Sequence, residues 1–142
     1  MRFDPKLHSV LINGYEINGW AKGGDVVSYV YNSDAGALTV GARGGGVFVA
    51  NQDRSTTLTL KLLQHSPDNK FLQRLSSVQR NDLKAFVPLT LAIRDLINED
   101  RASGVTGFFT TLPGLVRGDT ANDTTHVIVF TSGNIVLEDG VA

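Results

Sequence analysis

Midway along the chain the hydrophobic period changes within a few residues, and this junction limits the possible folds more than any other feature. Ser55–Gln64 reads STTLTLKLLQ, with Leu58, Leu60 and Leu62 on one side and Thr57, Thr59 and Lys61 on the other. Period two predicts a strand with one buried face. Ser66-Pro67-Asp68-Asn69 then reads as a helix start. Serine caps, proline sits at the first helical position, and an acid lies beside the positive helix end. Phe71, Leu72, Leu75 and Val78 follow on one helical face, which predicts about three turns ending near Arg80-Asn81. A half-buried strand feeding an amphipathic helix needs a sheet with a helix laid against it.

The remaining segments read as strands and turns. Asn13-Gly14 and Asn18-Gly19 mark two turns around strands near Ser9–Ile12 and Tyr15–Ile17, because Asn and Gly both accept positive φ. Val26–Tyr31 (VVSYVY) is β-branched and aromatic. Asn32–Gly36 breaks it and Ala37–Val40 resumes, which predicts a hairpin between those two runs. Gly41–Gly46 reads as a flexible connection, Val47–Ala50 as a short strand and Asn51–Arg54 as polar loop. Leu89–Ile97 alternates after Pro88, although a helix over Leu91–Ile97 fits the same residues. Gly104–Leu112 and His126–Thr131 are further strands. Pro113-Gly114 and Ser132-Gly133-Asn134 read as turns, the latter leading into Ile135–Leu137. Gly118–Asn122 is polar loop, and the chain ends in a polar tail after Glu138. No linker divides this order. The expectation is one domain over residues 1–142, mainly β: an antiparallel β-barrel or sandwich with one flanking α-helix.

Composition removes several function classes. The 142 residues contain no cysteine, so disulfides and thiolate metal sites are excluded. A formal net charge of -1 gives no bulk attraction to nucleic acid or to anionic membrane. No stretch approaches the roughly 20 apolar residues of a membrane helix, and the polar start Met1–Lys6 lacks the apolar run of a signal peptide. The glycine-rich GARGGG at Gly41–Gly46 lacks the Lys-Ser/Thr ending of a phosphate loop and precedes a strand, not a helix. His8, His65 and His126 stand far apart, with no second ligand at metal spacing, and read as surface or satisfied histidines. No nucleophile elbow gathers Ser, His and Asp. The acidic pairs Glu99-Asp100 and Glu138-Asp139 fall in expected loop and tail. Arg94, Arg101 and Arg117 are not interleaved with aromatics, and Trp20 beside its turn reads as a packing residue. No catalytic residue, cofactor site or metal site is expected.

Edge strands pose the remaining problem. Exposed edges are usually guarded by charge, yet Val26–Asn51 contains only Asp34 and Arg43. Either the sheet closes within one chain, or its edges pair with neighbouring copies.

Val26–Gly46, the TTLTLKLLQHSPDNKFLQRL junction, Pro88–Asp95, Gly104–Pro113 and VIVFTSGN at Val127–Asn134 occur in an order that resembles the tail tube proteins of contractile-tailed bacteriophages. The resemblance runs from about Val10 to Leu137 and is weakest over Met1–Leu7. It implies a non-enzymatic virion protein, assembled in the host cytoplasm, whose hexameric rings stack into the inner tail tube. Strands of all subunits would join one inner barrel through which DNA is ejected. Implied partners are further copies of the chain, the contractile sheath, and baseplate and tail terminator proteins, with DNA passing non-specifically. A lumen for sliding DNA needs few phosphate contacts. Ser28, or the Thr57/Thr59 face, is therefore expected to point inward, with Lys61 a departure on the latter. Within Gly41–Arg54, residues Arg43, Gly44, Gly45, Asn51, Asp53 and Arg54 are the expected ring-stacking contacts. A tube of a phage-derived bacteriocin or secretion machine fits the same residues. A monomeric β-barrel binding module is a third reading and predicts a concave apolar pocket.

Overall fold

The computed structural model describes residues 8–21, 26–95, 100–115 and 122–137. The expectations for the first seven residues, Ile97, Glu99, Gly118 to Ala121, and the tail from Glu138 fall outside these ranges. The elements run β1 (His8–Ile12), β2 (Tyr15–Glu16), β3 (Val27–Tyr31), β4 (Gly36–Val40), β5 (Gly46–Ala50), β6 (Thr56–Leu63), α1 (Pro67–Asn81), β7 (Leu89–Asp95), β8 (Arg101–Thr111) and β9 (Asp123–Val136). Seven strands form one sheet in the order β2-β1-β7-β8-β9-β6-β3, while β4 and β5 pair only with each other. Every pairing is antiparallel. The architecture is mainly β with one helix, a curled half-barrel whose two ends do not pair among the described residues.

Local chemistry accounts for the elements. Asn13 and Gly14 have φ of 52° and 83°, the both-positive turn that joins tightly paired strands. On β6, Thr56, Leu58, Leu60 and Leu62 are buried. The N-cap of α1 is Ser66, whose hydroxyl accepts from the Asp68 amide. Leu72 is fully buried, and Phe71 and Leu75 pack on the same core. That core joins Val10 and Ile12 of β1, Leu89 and Leu91 of β7, Leu58, Leu60 and Leu62 of β6, and Ile128 and Phe130 of β9. The Gln79 side-chain amide donates to the Phe109 carbonyl and accepts its N–H, both at 2.8 Å. β7 reaches no further along β8 than Gly107, so this helix side chain completes the ladder where the strand stops.

Tyr29 reveals the curl. Its hydroxyl donates to the Ser103 carbonyl on β8 at 2.8 Å and accepts from Thr56 at 2.7 Å. β3 and β8 are three strand spacings apart in the sheet order, roughly 14 Å if the sheet were flat. A tyrosine spans that gap only because the core face is concave. Gly104 and Gly133 are directly opposite each other in the β8–β9 register. A Cβ at Gly133 would lie 2.1 Å from the Tyr29 hydroxyl, and one at Gly104 2.7 Å from it. Here glycine serves close approach, and Ser132-Gly133-Asn134 is not a turn: β9 runs unbroken from Asp123 to Val136.

Other expectations change as well. Val27–Tyr31 does not form a hairpin with Ala37–Val40; it pairs with β6, Tyr29 opposite Leu58. The connection at Gly41–Gly46 is instead the turn of the β4–β5 hairpin. The Gly41 amide donates to the Gly45 carbonyl, Gly44 has φ 84°, and Gly46 belongs to β5. The segment from Leu91 to Asp95 is strand, not helix. Among the described residues no helix is long and apolar enough to cross a membrane.

Candidate assembly surfaces

The β4–β5 hairpin is a two-stranded ribbon with an apolar surface on both faces. Leu38 sits opposite Phe48, and Thr39 opposite Val47. Leu38, Val40, Val47, Phe48 and Val49 are each 60–65% exposed. A two-stranded ribbon is marginal by itself in water, and exposed contiguous apolar surface marks a contact region. The ribbon is attached at its base. The Asn51 amide donates to the Ala35 carbonyl, Asn32 to that of Ser55, and Gly133 to that of Arg54. Ser33 donates to the Asp53 carboxylate, which also accepts from the Ser55 amide. These hydrogen bonds, Ser33 first, hold the Asp53 carboxyl below its ordinary pKa.

The six expected stacking residues therefore separate. Arg43, Gly44 and Gly45 are at the ribbon tip, whereas Asn51, Asp53 and Arg54 lie at its base, where Asp53 and Asn51 organise the connection into β6. Five paired positions intervene. The apolar residues between tip and base escaped the sequence reading, although the shortage of charge in Val26–Asn51 was their visible sign.

The expected lumen residues come together. Ser28 is opposite Thr59, so the two alternative faces are one face. On it, Thr57 is opposite Val30 and Val129, and Thr59 opposite Val127. Ser28, Thr57 and Thr59 are half-buried, and Lys61 stands at the same face opposite Thr125. This wall of small hydroxyl and valine side chains is turned away from the core and from α1. Its β3 border carries no partner strand on its outer side among the described residues.

Two buried polar groups fasten the helix. Asp68 is 3% exposed and accepts from the Asn18 and Gly19 amides at 2.8 Å and the Tyr15 hydroxyl at 2.9 Å. Burial acts to raise its pKa, but the hydrogen bonds from Gly19, Asn18, Tyr15 and Ser66 outweigh it and leave the carboxyl low. Tyr15 also stacks on Phe71, ring centroids 4.0 Å apart. His126, a satisfied histidine, is 2% exposed with Nε2 3.0 Å from Asn69 Oδ1 on α1. Burial lowers its pKa to about 4. Among the described residues, no three metal-ligating side chains gather. An apolar pocket of about 220 Å³, lined in part by Val10, Val27, Tyr29 and Ile93, is smaller than the roughly 300–1,000 Å³ of small-molecule sites.

A half-barrel with an open border, an uncovered ribbon and a single helix defines a tube-type β fold, and solved structures of that fold superpose on it. One is the tube of an extracellular contractile injection system, the PVC sheath-tube complex in its extended state. It matches with TM-score 0.60 and 14% identity, over 97% of this chain and 92% of that one. Another is the cap that terminates the tube of the anti-feeding prophage, with TM-score 0.60, 12% identity, and coverage of 96% and 92%. At these identities the likeness is one of fold. The chain belongs to the bacteriophage PhiTE tail tube protein family, whose model matches residues 9–138. No curated protein matches it. The chain is thus a tail tube protein by family, and its fold is shared with the tube and the tube cap of contractile injection systems.

Proposed function

We propose that copies of this chain form hexameric rings that stack into the inner tube of a contractile phage tail, enclosed by the sheath and passing DNA at ejection. The observation that carries the reading is the β4–β5 ribbon, apolar and exposed on both faces. Within one molecule nothing described covers it, and another copy can. The open β3 border supports the same reading, because unpaired backbone groups at an edge template a further strand. The Ser28, Thr57 and Thr59 wall suits a lumen: it offers hydroxyls and methyls in place of a phosphate-binding row of cations. Arg43, Gly44 and Gly45 at the tip would reach the adjacent ring, with Asn51, Asp53 and Arg54 setting the angle at which the ribbon leaves the wall. Ends of the tube would meet baseplate and terminator proteins.

The tube of a phage-derived injection machine is a second reading, favoured by the two superposed structures. Capsid and terminase genes beside the coding sequence separate the two. Negative-stain microscopy of the purified, concentrated protein tests the assembly itself. Hollow tubes of uniform width are expected from the native chain, and Leu38→Asp/Phe48→Asp is expected to abolish them while the monomer stays folded. A native chain that remains monomeric at every concentration overturns the proposal.

A further inference from the structure

The exposed side of α1 is cationic. Lys70, Arg74 and Arg80 project from it, and Lys84 follows just past its end; all four are exposed. At 100° per residue Lys70 and Arg74 lie opposite the buried stripe of Asp68, Leu72 and Ser76, and Arg80 lies on one flank. Among the described residues, the two carboxylates on or beside the helix each accept backbone hydrogen bonds. Asp68 is buried beneath Asn18 and Gly19, and Asp82 accepts from the Ala85 amide. None of the four cations is in an ion pair among the described residues. The chain as a whole carries -1, so the helix surface stands apart from the average charge of the molecule.

Helix stability does not explain this arrangement. Lys70 is in the first turn, where the macrodipole disfavours a cation. Lys70 and Arg74 are a like-charge i, i+4 pair, which an isolated helix also disfavours. Beside the helix runs a groove of about 560 Å³ whose described lining includes Lys70, Arg80, Gln73, Asn69, Thr124 and His126, and no carboxylate. Among the described residues, donors and cations converge on it without a carboxylate.

We propose that the outer face of α1 and its adjoining groove form the docking surface for the sheath, and that they recognise an acidic segment of the sheath subunit. This rests on the tube reading above. If the Ser28, Thr57 and Thr59 wall faces the tube axis, α1 lies across the core from it and faces outward, where a sheath must lie. Attraction between the cationic helix and an acidic segment relieves the helix's own repulsion. It also makes the contact dependent on ionic strength.

The test uses tubes of the full chain and the purified sheath subunit of the same machine. The variant K70E/R74E/R80E/K84E is expected to form tubes of native width and to lose sheath decoration at least tenfold, while R74K/R80K keeps it. Native decoration is expected to fall as salt is raised from 50 to 500 mM. Three results overturn the proposal: charge-reversed tubes that take up sheath as the native ones do, decoration indifferent to salt, or charge-reversed protein that folds but forms no tubes. The last would place this face in contacts between tube subunits. Should native protein form no tubes at all, the tube reading itself fails, a separate outcome. Should reversal prevent folding, K70Q/R74Q/R80Q/K84Q carries the same comparison.

Discussion

β6 and the β4–β5 ribbon are both rich in apolar strand-forming residues and end in opposite environments. Leu58, Leu60 and Leu62 are fully buried in one cluster with Ile128, Phe130 and Leu72 of the helix. Leu38, Val40, Val47, Phe48 and Val49 are mostly exposed. The difference is in what faces each strand. β6 has a strand on either side and shares its core cluster with Leu72 of the helix, whereas among the described residues the ribbon pairs only with its own return. Apolar strand residues therefore predict a contact surface without saying whether the contact is internal. The proposed function puts the second case to use for assembly.

The comparison is broken most severely at β6. Leu60→Pro removes a ladder donor from a doubly paired strand and is expected to cost more than about 4 kcal/mol. Far-UV circular dichroism of the variant should show an unfolded chain, so its lack of tubes would say nothing about assembly. Retention of a cooperative unfolding transition near the native midpoint would contradict the β6 core.

Acid comes next. The folded pKa of His126 is about 4, against 6.5 for a free histidine. The unfolded chain therefore binds the extra proton between those values. Stability from the neutral ring is complete above about pH 6.5 and falls as pH drops toward 4, by on the order of 3 kcal/mol. Urea unfolding across that window should show the slope, and His126→Gln should flatten it. At Asp68 burial opposes the charged form but hydrogen bonds favour it and leave the carboxyl pKa low, so its contribution persists to lower pH and disappears as pH falls below the ordinary carboxylate range.

Asp68→Ala strands the Asn18 and Gly19 amides and the Tyr15 hydroxyl, and is expected to cost about 2 kcal/mol. Chemical denaturation measures it; a change below about 0.5 kcal/mol would mean water replaces the carboxylate at little cost.

The smallest effect on folding belongs to the ribbon and is the most informative. Phe48→Asp on an exposed site should change monomer stability by no more than about 0.5 kcal/mol and still prevent tube formation. Tubes of native width from that variant would show that the ribbon is not buried by a neighbour.

Much of this was legible before any coordinates. The junction at Ser55–Asn81 carried both its strand and its cap in local signals, because alternation, Ser66 and Pro67 act within a few residues. Partner choice was less legible. Val26–Tyr31 was expected to fold back on Ala37–Val40, since adjacency in sequence is the usual guide. Yet Thr56–Leu60 offers it a buried face to complete, and the ribbon instead turns at Gly41–Gly45. Ser132-Gly133-Asn134 has turn composition, but the requirement for glycine comes from Tyr29, far away in the chain. Asp68 was visible only as an acid at a helix start. Its second task, gripping the loop after β2, depends on a fold that brings Asn18 to it. Ser28 and Thr59 were read as alternatives because register is a property of the pair and not of either strand.

One consequence follows from the ribbon. If, as proposed, a sibling masks the ribbon, the newest member of any stack keeps its own ribbon bare. Each addition then recreates the appetite it satisfied, and a head-to-tail contact of this kind contains no instruction to stop. The length of such a filament must be dictated from outside, by a ruler or by a plug that offers the receiving surface without presenting another ribbon.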